Sequence, residues 1–261
     1  ASLDANTSGS NNVAIGQAAL TANTTASNNT AVGYNSLLTN DTGTRLTAVG
    51  GSSLAANTTG TDNTAIGLNA LHLNTTGSLN SAVGRNALYS NTTASNNTAQ
   101  GYNALFANTT GAYNVAVGAN ALDANTTGGT NVGIGYGAIG ADTLGHASVA
   151  VGHGTLTSQN FTSTTLVYNT AVGYQAGLSV STGVQNTLIG GLAGDALTIG
   201  NSNVSVGYNS LTTEVAGDRS VAVGYGSLAL QTNASTVDVY NTAVGYQAGY
   251  AMTTGTTNTL I

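Results

Sequence analysis

The sequence predicts an all-β fold, a parallel β-solenoid (β-roll) of 17-residue coils. Three observations lead there. A glycine preceded by Val or Ile recurs along the whole chain of 261 residues. The segments between are rich in Asn, Thr and β-branched residues, and no Pro interrupts them. Charged residues make up 5% and apolar residues 41%, against about 25% charged in ordinary domains, so the chain lacks the low hydrophobicity and high charge of disorder.

The glycine column sets the period. It runs Gly16, Gly33, Gly50, Gly67, Gly84, Gly101, Gly118, Gly135, Gly152, Gly173, Gly190, Gly207, Gly224 and Gly245, and eleven of the thirteen intervals are 17 residues, the other two 21. A unit this short with one β-like run cannot bury an apolar face alone, so copies must stack. Residues 1–261 read as a single array of about 15 repeats, with insertions at 159–168 and 231–240. The chain enters and leaves the array inside a repeat and opens on no charged-then-apolar leader, so it reads as a segment of a longer array, or a mature form.

Each column has its own chemistry. The residue before the glycine is Val or Ile except at Gln100, and the one before that is nearly always Ala. Four residues after the glycine stands Leu or Ile, replaced by Gly177, Gly194 and Gly249 in three repeats. One Asn column stands four before the glycine, and a second runs unbroken through Asn6, Asn23, Asn40, Asn57, Asn74, Asn91, Asn108 and Asn125. We expect the Asn columns at corners, where Asn tolerates left-handed backbone, with stacked copies forming amide ladders. The invariant glycine implies positive φ or close backbone approach. Val/Ile and Leu columns are expected to form a thin core, and the Ala and Ser columns a face for neighbouring chains. Absent Pro leaves every backbone donor free for stacking. Helix is disfavoured by Asn-Thr-Thr-Gly and by a glycine in every repeat.

A longer period overlies the first. Tyr34, Tyr102, Tyr174 and Tyr246 follow their glycines at four-repeat intervals, and both insertions fall just before such a boundary. The Tyr column also takes Gln17, Gly51, Leu68, Arg85, Ala119, His153 and Gly191. That variability predicts a partly exposed or inter-chain position. The two insertions are expected to protrude on one side, roughly 19 Å apart at 4.8 Å per coil.

The runs NTAVGYNSL, NTAIGLNAL and NVAVGANAL resemble the head repeats of trimeric autotransporter adhesins (YadA-like), and more closely the Asn-Thr-Ala-Val-Gly-Tyr repeats of bacteriophage tail fibres. The resemblance covers essentially the whole chain. It implies a left-handed coil and a homotrimeric, rod-like shaft. The adhesin-head repeat is usually 14 residues, so the 17-residue coil differs in cross-section.

Composition excludes several function classes. Arg45, Arg85 and Arg219 are the only Lys or Arg residues and the net charge is −6, so the chain cannot neutralise many phosphates and nucleic acid is not a partner. Without cysteine there is no disulfide, thiolate metal site or thiol catalysis, and no run of 18 apolar residues indicates membrane insertion. The acids Asp4, Asp41, Asp62, Asp123, Asp142, Asp195, Glu214, Asp218 and Asp238 share no column in adjacent repeats. They read as solvated turn residues rather than a glycosidase pair. His72, His146 and His153 occupy three columns, which is no convergent metal site, and no cofactor is called for. Asn-x-Ser/Thr sequons are numerous by composition, and Asn160 and Asn233, in the insertions, are expected to be the most accessible acceptors.

The expected function is structural: a shaft segment of an extracellular trimeric fibre on a virion surface, a phage tail fibre presenting a distal receptor-binding tip, without enzymatic activity. About 15 coils would span roughly 70 Å. Expected partners are the chain itself, other fibre segments or the tip, and a host-surface glycan or receptor. The alternatives are a bacterial cell-surface adhesin or matrix filament and, third, an ice-binding solenoid carried by Thr24/Thr25, Thr58/Thr59, Thr75/Thr76, Thr92/Thr93 and Thr109/Thr110.

Overall fold

A computed structural model describes residues 1–261 and contains strands and turns but no helix. The chain divides into two units, Ala1–Thr130 and Asn131–Ile261. Each is a parallel β-solenoid with a coil of about 17 residues, and together they carry about fifteen coils. In the first unit the strands are β1 Val13–Ile15, β2 Thr30–Val32, β3 Thr47–Val49, β4 Thr64–Ile66, β5 Ser81–Val83, β6 Thr98–Gln100 and β7 Val115–Val117. The second unit has β8 Val132–Ile134, β9 Gly145–His146, β10 Val149–Val151, β11 Thr165–Leu166, β12 Thr170–Val172, β13 Thr187–Ile189, β14 Val204–Val206, β15 Val221–Val223, β16 Thr242–Val244 and β17 Thr259–Leu260.

Within each unit successive strands of the main sheet pair in parallel one coil apart, each column position against its own copy. Ala31 lies beside Ala48 and Val32 beside Val49. The register survives the insertions: Ala150 pairs with Ala171 across the first and Ala222 with Ala243 across the second. The short β9 and β11 pair beside the first insertion.

The strand faces are the reverse of the expectation. The central Ala points inward and is fully buried, as at Ala31, Ala48, Ala65, Ala82 and Ala99, while Val and Ile point out, with Ile15 60% and Ile66 40% exposed. A three-residue strand has one inward position, and a narrow coil accepts only a small side chain there. The core is therefore Ala and Leu: Leu20, Leu37, Leu54, Leu71, Leu88, Leu105 and Leu122 are buried completely. These leucines sit at φ between 49° and 53°. Left-handed backbone costs an L-residue about 1–2 kcal/mol, and full burial of a Leu returns about 1.5–3 kcal/mol, so burial carries the corner. Gln100 needs no partner inside, because its column faces water and it is itself exposed.

Most of the main glycines are required twice. Gly33 has φ of 136°, and a Cβ there would stand 2.6 Å from the Gly50 carbonyl oxygen of the next coil. The unit interiors also hold the Asn columns, which are buried rather than placed at left-handed corners. The left-handed Asn residues are others, such as Asn28, Asn35 and Asn69. Asn57 Nδ2 donates to Asn40 Oδ1 at 2.8 Å and to the Gly60 carbonyl at 3.1 Å, and Asn74 and Asn91 continue the chain at 2.8 Å each. In the other column Asn29 Oδ1 accepts the Leu46 N–H at 3.0 Å while its Nδ2 donates to the Gly43 carbonyl at 2.9 Å. Buried amides are tolerable only when satisfied in this way.

The second unit shows how the core repairs itself. Gly177 and Gly194 lack the Leu of their column, and Leu188 stands where the strand's Ala would be. A Cβ at Gly177 would lie 2.7 Å from Leu188 Cδ1, and one at Gly194 2.8 Å from Leu188 Cδ2. One inward Leu thus fills space vacated in the coil before and later in its own coil. Leu188→Ala should open both spaces and cost about 3–5 kcal/mol. The check is chemical denaturation, in which the second unit should lose its midpoint first.

Candidate functional site

Three surfaces or clusters concentrate the chemistry: the outward strand columns, an aromatic column beside the glycines, and two buried acid clusters at the bases of the insertions. The structure places the predicted ladder residues Gly16, Gly33, Gly50, Gly67, Gly84, Gly101 and Gly118 at successive coil corners with φ of 125–141°. It places Asn23, Asn40, Asn57, Asn74, Asn91 and Asn108 inside, at 0% exposure.

The outward strand face carries a Thr, Ser or Val column and, two residues on, the Val/Ile column. Both run along a parallel sheet whose inner side is sealed by Ala. A regular row of branched apolar side chains in water is an unpartnered face. The turn threonines make no comparable array. The first of each pair is half-buried and the second exposed, and Thr58, Thr75, Thr92 and Thr109 spend their hydroxyls on the next coil, as Thr58 Oγ1 does on the Thr75 carbonyl at 3.0 Å.

The aromatic column lies just past each glycine. Tyr136, His153 and Tyr174 form a stack with centroids 5.2 and 5.5 Å apart, and Tyr208, Tyr225 and Tyr246 another at 5.7 and 5.3 Å. These rings are offset-stacked, a favoured geometry, and all are exposed. A third stack, His72–Tyr89–Phe106, is half-buried in the first unit, and His72 Nδ1 lies 3.0 Å from the Ser52 carbonyl. His146 is in β9, half-buried.

The acid clusters correct the reading of all acids as solvated. The unbroken Asn column of the first unit gives way, in sequence register, to Asp142, Gln159, Val180, Leu197, Glu214, Gln231 and Met252. Asp142 and Glu214 are buried at 1% and 0% exposure. Glu214 Oε1 accepts the N–H groups of Val215, Ala216, Gly217 and Asn233, and Oε2 accepts from Gln231 Nε2 at 2.8 Å and Asn233 Nδ2 at 2.9 Å. Asp142 accepts the N–H groups of Gly145 and Phe161 and, at 2.6 Å, Gln159 Nε2. Each Gln also reaches an inner Ser and Asn: Gln159 bonds Ser148 and Asn169, and Gln231 bonds Ser220 and Asn241. An acid in place of the ladder Asn thus collects the extra N–H groups that an insertion brings inside. With every oxygen occupied by a structural donor, neither acid is placed to transfer a proton to a ligand.

The insertions are held at both ends. Phe161 and Val167 tuck in from the first and Asn233 and Val239 from the second, leaving 162–164 and 234–238 exposed. Of the two sequon residues, Asn160 is exposed, its Oδ1 accepting from Thr143 Oγ1 at 3.2 Å. Asn233 is buried with its amide nitrogen committed to Glu214, so the accessibility expected of it fails. Asp218 and Asp238 do come side by side on adjacent coils as a parallel bridge, because the insertion shifts the register by which columns were counted. Asp238 pairs with Arg219, and Asp218 Oδ1 accepts the Asn201 N–H at 2.6 Å.

All three arginines are engaged within their own units. Arg45 grips Asp62 through Nε at 2.5 Å and Nη2 at 2.8 Å. Arg85 lies over the Tyr102 ring at 5.9 Å, and Arg219 over Tyr240 at 5.7 Å. The hydrogen bond from Arg45 holds the Asp62 carboxyl below the usual range, whereas burial pushes that of Asp123 up. No group of three or more His, Cys, Asp or Glu side chains is placed to hold a metal ion. No protein-family model matches the chain, and no curated protein is similar to it.

Two predictions follow from the acids. Glu214→Gln leaves one acceptor oxygen for six donors, so it should cost about 2 kcal/mol and speed amide hydrogen exchange at Ala216, Gly217 and Asn233. Asp123 binds its proton more tightly folded than unfolded, so it lowers stability as pH rises through that window. Asp123→Asn should therefore raise the thermal midpoint at pH 7 relative to the parent, and much less at pH 3.

Proposed function

We propose that the chain is a structural shaft segment of an extracellular, trimeric fibre, a phage tail fibre that presents a distal receptor-binding tip and has no catalytic role. The outward Val/Ile column carries this reading. Every complete coil except that of Gln100 turns one such side chain outward, and an apolar row with a single polar break is an unpartnered face. The interface is thus the Val/Ile sheet face, not the Ala and Ser columns, which are consumed in the core. A stack of like coils supplies that face at constant spacing, which suits a second and third copy running alongside. The left-handed coil implied by the resemblance belongs to the same proposal.

Two further observations support a passive, exposed role. Hydrogen-bonded amides and Ala–Leu packing hold each coil with few charges, so stability depends little on salt. The arginines are tied to neighbours, which leaves no basic patch for nucleic acid. The partners are then other copies, adjoining fibre segments or a tip, and a host-surface glycan or receptor. A bacterial adhesin or matrix filament is the second reading, favoured by the exposed aromatic column, which offers the side of the coil as a contact surface.

Light scattering coupled to size exclusion should give a mass of three chains. Val172→Lys together with Ile189→Lys places charge on the outward face without entering the core, so the variant should keep its β-sheet circular dichroism and fall to one chain. A single-chain mass for the parent would overturn the trimeric fibre.

A further inference from the structure

Gln100 is the one polar residue of the outward Val/Ile column. In the first unit that column reads Ile15, Val32, Val49, Ile66, Val83, Gln100 and Val117. Gln100 lies in β6, paired with Val83 of β5 on one side and with Val117 of β7 on the other. It is exposed where both neighbours are half-buried, and its side-chain amide makes no hydrogen bond within the chain.

The rest of its coil is regular. Ala99 and Leu105 are fully buried and Gly101 has φ of 141°. Asn97 keeps its place inside, its N–H donating to Asn80 Oδ1 at 3.0 Å and its Nδ2 to the Gly111 carbonyl at 2.9 Å. No second departure compensates this one, as Gly177 and Gly194 do for Leu188. Nothing inside the unit calls for a polar side chain here.

A row of alike rungs has one weakness as an interface. Sliding one copy along another by one coil, about 4.8 Å, sets Val or Ile against Val or Ile at almost every rung. Apolar burial alone therefore separates neighbouring registers weakly. One polar rung in an apolar seam removes that ambiguity, because its amide is satisfied in one alignment and stranded in the others.

We propose that Gln100 sets the axial register between copies of this chain, by meeting the same residue of a second and a third copy at one height. Parallel copies about a three-fold axis bring like residues to the same level. A Gln amide carries both a carbonyl acceptor and N–H donors, so three of them can close a ring in which each donates to the next. After a slide of one coil, Gln100 faces the Val83 or the Val117 rung of its neighbour, and its amide is buried without a partner. A second copy supplies both halves of the match: apolar rungs at the same spacing and an amide at the same height. The inference rests on the trimeric-fibre reading and adds to it what fixes the alignment of the three chains.

The test is co-expression of the full parent chain with a tagged chain carrying Val83→Gln and Gln100→Val. That pair moves the polar rung by one coil and keeps the composition. Native mass spectrometry then counts mixed and unmixed trimers. The tagged variant alone should form three-chain particles. Together the two chains should sort, with mixed trimers about tenfold below their statistical share, the discrimination that one stranded amide supplies. A tagged parent should mix statistically, and so should a tagged Leu79→Gln chain, whose change is exposed but lies off the strand. In the parent trimer, the Gln100 side-chain amide hydrogens should exchange about tenfold more slowly than those of exposed Gln17. Single-chain masses for the parent would overturn the trimeric fibre and the register with it. Three-chain masses with statistical mixing, a variant that cannot trimerise by itself, or exchange at Gln100 as fast as at Gln17 would overturn the register role and leave the fibre standing.

Discussion

At the glycine column one coil stands so close to the next that a Cβ on Gly33 would fall 2.6 Å from the Gly50 carbonyl oxygen, and one on Gly50 2.5 Å from that of Gly67. That vertical approach governs the rest. It brings like residues into register one strand spacing apart, which turns every column of the sequence into a ladder: amides on amides inside, Val on Val outside, rings on rings at the edge. A side chain satisfied by its copy in the next coil needs no partner elsewhere. The chain therefore holds a folded core with few charges and no disulfide.

The same constraint explains how the second unit tolerates variation. A ladder can change residue type only if the neighbours above and below accept the change. Leu188 enters the Ala column because Gly177 and Gly194, before and after it, have given up their leucines. Glu214 enters the amide column because the insertion beside it brings Asn233 inward, whose N–H and side-chain amide both need acceptors. Asp142 does the same for Phe161. In each case the departure from the repeat is paired with another departure one coil away, and the pair conserves volume or hydrogen bonds.

Division of labour between the faces follows from coil width. The inward strand position takes Ala, or Leu where the facing positions are Gly177 and Gly194, and the Val and Ile of the strands point outward. The outer surface of each unit thus carries an apolar row on the strands, broken at Gln100 in the first unit, and a mixed row with many aromatic rings past the glycine.

The repeat, the parallel register and the coil length were legible in the sequence, because a 17-residue period in glycine, Asn and Leu has one economical physical solution, stacking. The amide ladder was legible for the same reason. Which way each column faces was not. In a strand of three residues, one slip of the inside–outside assignment reverses every side chain, and hydrophobicity alone favoured Val over Ala for the interior. Only the closed coil, too narrow for a branched side chain opposite Leu, decided it. The buried acids were hidden likewise: Asp142 and Glu214 lie four repeats apart in one column, but their burial depends on donors that the insertions carry back in from Phe161 and Asn233. Sequence determined the spacing of the ladders; the coil's cross-section decided what each ladder touches.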